Sequence, residues 1–258
     1  MSCFRNSSWL CLWLVLPLTA FPQEKPTKKP EELIRATLEA LGGSDGYRKS
    51  ANAKYVYVAK SDSGATPFSS EMSLTLYTRD DGRRRLEKRV AGQRQRYGYD
   101  GENYWMTLAG DLVRKLPDGA ADGMKLDSIQ QLIFLDYKSH GYVASSAAPV
   151  TEKNRTLDRV TFLRKKLSPA QMLPGDQLHY YFDAKTHLPY RLEFLCPDPW
   201  GRGSVSIILL YEDYRSVDGV LIPHRVRQIR DSSDTVVLEI QEVSIGEHFP
   251  DSLFKRPR

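Results

Sequence analysis

The chain has 258 residues with 37 Lys+Arg against 32 Asp+Glu, a net charge of +5, and three cysteines. That length permits one domain held by its own hydrophobic core. Beyond the leader described next, no stretch is long and apolar enough for a membrane-spanning helix. The leader also takes two of the cysteines, so an intramolecular disulfide is excluded.

Residues 1–23 carry one charge, Arg5, an apolar stretch from Trp9 to Leu18, and small residues at Thr19 and Ala20. This pattern predicts a secretory signal peptide over 1–20, and hence an exported, periplasmic protein that is soluble after cleavage. Cleavage would remove Arg5, Cys3 and Cys11 and leave Cys196 as the single thiol, a small hydrophobe at a strand end between Leu195 and Pro197. Residues 21–30, charged and rich in proline, read as a flexible lead-in to a single domain over 31–258.

The first element expected is a helix at 31–41, with Pro30 in its first turn, Glu31 and Glu32 at the positive end of the dipole, and Gly42-Gly43 as its stop. Leu33, Ile34, Thr37, Leu38 and Leu41 form its apolar stripe. Strands are predicted at 54–60, 71–79, 83–90, 93–99, 103–108 and 111–116, joined by glycine-containing turns such as Asp81-Gly82 and Asp100-Gly101. A second helix is expected at 127–138, with Asp127 and Gln130 at capping-box spacing and Ile129, Ile133 and Tyr137 on one face as a lid. A strand follows at 156–165, and Ser168 to Gln171 suggests a short third helix. Strands at 177–183, 189–195, 205–214, 220–230 and 236–245 complete the series. About a dozen strands with few helices make a mainly β fold, a single large antiparallel sheet that must curl, with helices covering an apolar interior.

Chemical motifs are sparse. The five histidines, His140, His179, His187, His224 and His248, show no HxH or HxxxH pairing, so no metal site, cofactor or catalytic residue is expected from them. The sequence has no GxSxG, Walker loop or GxGxxG. Asn154-Arg155-Thr156 is a glycosylation sequon that would count only in a eukaryotic secretory pathway. The hairpin around Arg84, Lys88 and Arg89 is strongly basic. It reads either as a docking patch for an acidic protein or anionic membrane, or as a solvated sheet face; nucleic acid is not expected for an exported chain. Tyrosines at alternating positions, Tyr55, Tyr57, Tyr97, Tyr99, Tyr180, Tyr190 and Tyr211, are unusual for a dry core because each hydroxyl needs a partner. A cavity with polar fittings would supply one.

Four segments carry a family likeness: Tyr97 to Trp105, Tyr181 to Arg191, Asp213 to Arg225, and the ending Phe249 to Pro257. With the Ala-Leu-Gly-Gly that closes the first helix, they resemble exported bacterial proteins of the LolA/LolB-like superfamily. The resemblance implies an unclosed β-barrel whose helical lid covers an apolar cavity for the acyl chains of lipoproteins. The best-known carrier of that family latches its lid with an arginine, which is not carried over to any position here. The expected function is therefore periplasmic, non-enzymatic binding or carriage of lipid, acyl chain or lipoprotein. Tyr57, Leu76, Trp105, Phe162 and Phe194 are the cavity-wall candidates. The alternatives are an envelope interaction or stress-sensor module docking through the basic face, and a hydrolase of envelope material, for which no nucleophile–base pair is apparent.

Overall fold

The computed structural model describes residues 28–61, 72–90, 92–107, 112–165, 173–198, 203–232 and 234–257. The leader at 1–20, the lead-in as far as residue 27 and the short helix expected at 168–171 lie outside the described residues.

Two helices come first, α1 (Pro30–Ala40) and α2 (Gly43–Lys49). The Gly42-Gly43 stop ends α1 as expected, but the chain then re-enters a helix instead of a strand. Gly42 makes that corner with a φ of +114°, and a Cβ there would stand 2.5 Å from the carbonyl oxygen of Gly219. Only glycine allows this conformation and this approach. The predicted stripe of α1 is buried: Leu33, Ile34, Thr37, Leu38 and Leu41 all face the core.

The strands are β1 (Ala53–Ser61), β2 (Met72–Thr78), β3 (Arg84–Val90), β4 (Gln93–Tyr99), β5 (Tyr104–Thr107) and β6 (Val113–Lys115), then, after helix α3 (Asp118–Asp136), β7 (Tyr142–Glu152), β8 (Arg155–Arg164), β9 (Gln177–Asp183), β10 (Pro189–Pro197), β11 (Ser204–Val217), β12 (Val220–Arg230) and β13 (Asp234–Ile245). They form one antiparallel sheet of thirteen strands, ordered β6-β5-β4-β3-β2-β1-β13-β12-β11-β10-β9-β8-β7. Sequence neighbours pair throughout as hairpins or meanders, and the β1–β13 pair joins the two runs. The outermost strands, β6 and β7, do not pair with each other, so the curled sheet stays unclosed. Helix α3 is the connection between those two edges.

Two elements depart from expectation. Strand β7 was not foreseen: its sequence, YVASSAAPVTE, is rich in Ala and Ser and contains Pro149, which weakens any strand signal. An edge strand tolerates that proline, and the β7–β8 register shifts between Ala147 and Val150 around it. Helix α3 begins at Asp118, nine residues before the expected capping box, so Asp127 lies in mid-helix. Gly119 and Gly123 conceal the first turns because glycine is a poor helix former. Gly123 faces Cys196 of β10, whose Sγ lies 3.7 Å from where a Cβ on Gly123 would stand, an ordinary packing contact. The Cys196 thiol is free and half-buried, and burial pushes it up to about 11.

One face of the sheet is covered by the helices. Under α1 and α3, strands β7–β11 contribute a solid core that includes Val160, Phe162, Leu178, Phe182, Leu192, Phe194 and Ile207. Phe134 of α3 inserts among Phe162, Tyr180 and Phe182, with ring centroids 6.2, 5.0 and 5.6 Å away. Ile129, Ile133 and Tyr137, the expected lid face, are all buried in this layer. The opposite face of β2–β5 carries the C-terminal segment, which follows β13 through a 3-10 turn at Asp251–Leu253.

Candidate functional site

Where α3 crosses from the solid core toward β1–β3 and β11–β13, the packing opens into a cavity of about 310 Å³. That is near the lower end of the roughly 300–1,000 Å³ usual for small-molecule sites. Its walls come from both ends of the sequence, across the β1–β13 seam. Leu76, Val220, Ile222, Val226, Ile240 and Leu41 supply the apolar surface. Six tyrosines ring it: Tyr47, Tyr55, Tyr57, Tyr180, Tyr211 and Tyr214. Tyr55 and Tyr57 stack with centroids 5.7 Å apart. Tyr214 reaches the same cavity as Tyr211, although the two are an odd number of positions apart, because Asp213 between them adopts a φ of +54° and breaks the alternation.

The polar fittings lie between α3 and the β2–β3 hairpin. Arg84 is 5% exposed, and its guanidinium donates to the carbonyl of Met124 at 3.0 Å and to Gln131 Oε1 at 3.4 Å, with Asp127 Oδ2 at 3.7 Å. Gln131 in turn donates to the carbonyl of Ala51 at 3.1 Å and to Thr78 Oγ1 at 2.9 Å, and Ser128 Oγ donates to the carbonyl of Gly82 at 3.4 Å. Burial lowers the Arg84 guanidinium from its ordinary value, opposed by Asp127. Burial likewise raises the Asp127 carboxyl, opposed by Arg84. The Asp127 side chain lines the cavity and is 65% accessible to water, so the cavity is open to solvent at this carboxylate.

These positions revise the sequence expectations residue by residue. Tyr57 and Leu76 line the cavity. Phe162 and Phe194 do not: both lie in the solid core under α3. Trp105 is also off the cavity. Register places it opposite Gly98 and Lys115, on the face away from the helices. There its indole rests on Gly98 and its Nε1 donates to the carbonyl of Phe254 at 3.0 Å.

The basic hairpin is not one patch. Strand side chains alternate between faces, so Arg84 and Lys88 point to the helix-covered side and Arg89 to the other. Arg84 is buried against α3, Lys88 lies over the Tyr97 ring at 4.8 Å, and Arg89 is the exposed one of the three. Outward-facing Arg85 holds the carbonyl of Leu253 at 2.9 Å, and Arg79 and Arg83 hold Asp251 at 2.6 and 3.1 Å. Burial alone would raise the Glu87 carboxyl, but Arg94 and Arg85 outweigh it and hold Glu87 below the ordinary carboxylate value.

Sequence reasoning missed Tyr47, Gln130 and Gln131, because nothing local distinguishes a helical tyrosine or glutamine that faces a cavity from one that faces water. A Thr161–His179 hydrogen bond of 2.9 Å crosses β8 and β9, but it lies outside the cavity. Glu193, across from His179, is engaged by Tyr181 at 3.0 Å and Arg191 at 3.1 Å, so no base-orienting relay is assembled there. Among the described residues no cluster of His, Cys, Asp and Glu could hold a metal ion, and no helix is long and apolar enough to cross a membrane.

The cavity can be tested directly by filling it. Leu76→Trp places an indole where the wall now presents an isobutyl group, displacing space for about two methylenes. At about 0.8 kcal/mol each, the affinity for an apolar occupant is expected to fall about tenfold or more. Displacement of a fluorescent fatty acid measures this, with Phe162→Leu in the solid core as the control that leaves affinity unchanged.

No protein-family model matches the sequence, and no curated protein matches it. Solved structures do match the fold. A LolA superfamily protein of Nitrosomonas europaea superposes with a TM-score of 0.56 at 11% identity, covering 88% of this chain and 98% of its own. An outer membrane lipoprotein-sorting protein domain of Vibrio parahaemolyticus gives 0.56 at 10% identity, covering 87% and 97%. A DUF1329 family protein of Desulfovibrio piger gives 0.57 at 14% identity, covering 88% and 98%. An unclosed antiparallel sheet with its edges bridged by a helix, matched over nearly the whole length of these proteins, gives this chain the LolA-like fold.

Proposed function

We propose that this chain is an exported, non-enzymatic binding protein that holds an acyl chain, free or as part of a lipid or lipoprotein, in the cavity beneath α3. The observation that carries this reading is the cavity itself: about 310 Å³, apolar over most of its wall and bordered by a helix joined to the sheet through polar contacts. Its volume suits one chain better than several. The lipoprotein-sorting description of the Vibrio domain supports the same class of cargo. Binding would be driven by removing hydrocarbon from water, about 0.8 kcal/mol per methylene, with α3 closing over the chain.

Affinity for a homologous series of fatty acids is therefore expected to rise about fourfold per methylene until the cavity is full, then level off. Fluorescence displacement measures the series, and native mass spectrometry of protein purified from its own host identifies what it carries. Ligand-free protein from the host together with no fatty-acid binding would sink the reading.

A further inference from the structure

Resting on that reading, the polar groups of the cavity narrow the chemistry of its occupant. Tyr55 donates to the carbonyl of Ser50 at 3.3 Å and Tyr214 to that of Pro189 at 2.7 Å. The hydroxyls of Tyr47, Tyr57, Tyr180 and Tyr211 have no protein hydrogen-bond partner among the described residues, although all four side chains line the cavity. Burial raises all four phenols above their ordinary value, so each stays protonated and able to donate. A bare hydrocarbon sealed against them would leave donors dry, at a cost of roughly tenfold or more in binding for each one stranded. An ionic headgroup suits the site no better, because Arg84 and Asp127 face each other at 3.7 Å and their opposite charges offset, leaving no net charge for it to pair with.

We propose that the occupant is a neutral amphiphile whose carbonyl oxygens, as in the ester of an acylglycerol or the ring of a quinone, accept hydrogen bonds from these tyrosines. The apolar chain then lies along Leu76, Val226 and Ile240, and the carbonyl-bearing segment lies toward Tyr180 and Tyr211.

Calorimetric titration with four probes tests this: dodecanoylglycerol, its ether analogue dodecylglycerol, dodecanoate, and a decyl-tailed quinone. The ester is expected to bind about three- to tenfold tighter than the ether, since only the ester offers a carbonyl. The Tyr57→Phe/Tyr180→Phe/Tyr211→Phe variant should bind ester and ether alike, and the ether tighter than wild type does, since no phenol donor is left to strand. Tyr211→Phe alone gives the same readout, with a smaller loss, should the triple variant fail to fold. A tighter quinone or a tighter ester identifies which carbonyl source is used, and either supports the proposal. Equal affinity for ester and ether in the wild type, or dodecanoate binding tightest, overturns it while leaving acyl-chain binding intact. No binding of any probe overturns both.

Discussion

Replacing Arg84 with alanine is expected to lower stability by about 3 kcal/mol and to accelerate amide hydrogen exchange along α3. Arg84 is 5% exposed, and its guanidinium is the contact through which β3 reaches the helix: Met124 carbonyl, Gln131 amide and Asp127 carboxylate. Truncation removes two charge-assisted hydrogen bonds, strands Gln131 Oε1, and leaves a void where the arginine stem packs. Asp127 would not be left a buried unpaired anion, because its side chain is 65% accessible to water. That relief keeps the cost below the upper end for a broken buried ion pair, about 5 kcal/mol. Arg84→Met, which refills the stem volume, should lose about half as much. Adding Asp127→Leu to Arg84→Met is expected to change stability little further, because the Asp127 carboxylate is 65% accessible and its pairing with Arg84 is screened by water. Urea unfolding gives the magnitudes, and exchange over Asp118–Asp136 shows whether the loss is local. An Arg84→Ala variant with unchanged unfolding and unchanged exchange would show that α3 is held by apolar packing alone.

The second large effect is expected at Trp105, on the other side of the sheet. Trp105→Ala should cost about 3–5 kcal/mol and release the C-terminal segment while leaving acyl-chain affinity unchanged. Trp105 is 1% exposed and Phe254 is fully buried, and the indole N–H donates to the Phe254 carbonyl. Arg79 lies over the Phe254 ring at 5.4 Å, and Arg85 holds the neighbouring Leu253 carbonyl. Removing the indole therefore loosens a strap to which Phe249, Phe254 and two arginines all contribute. Limited proteolysis within residues 246–257 reports the release, and Trp105→Phe, which keeps the ring but loses the N–H donor, should cost only about 1–2 kcal/mol. Loss of fatty-acid binding in Trp105→Ala at temperatures where the variant stays folded would contradict the separation of strap from cavity.

Most of the architecture was readable because its causes are local. Gln177–Asp183 and Val220–Arg230 begin and end where alternation and turn residues place them, and the α1 stripe is buried as its spacing requires. The failures share a cause as well. Strand β7 and the first half of α3 are built from residues with weak propensity, Ala, Ser, Pro and Gly, and exist because tertiary packing pays for them. The basic hairpin could have been divided from sequence: Arg84 and Lys88 share a parity that Arg89 lacks, so one strand cannot show all three on one face.

The amino-acid sequence by itself determined most of the strands, all but β7, their antiparallel pairing as meanders, and the face most of their side chains take, since these follow from backbone geometry within a few residues. It could not determine which inward faces meet a neighbour and which enclose space. Tyr57 and Phe162 are both aromatic residues on the helix-covered face; one lines the cavity and the other is solid core. What separates them is the path of α3 across the sheet. That path brings Phe134 against β8 and β9 and carries Gln130 and Asp127 past the β1–β13 seam without filling it. Contacts between residues far apart in the chain decide such a difference, and only the tertiary structure supplies them.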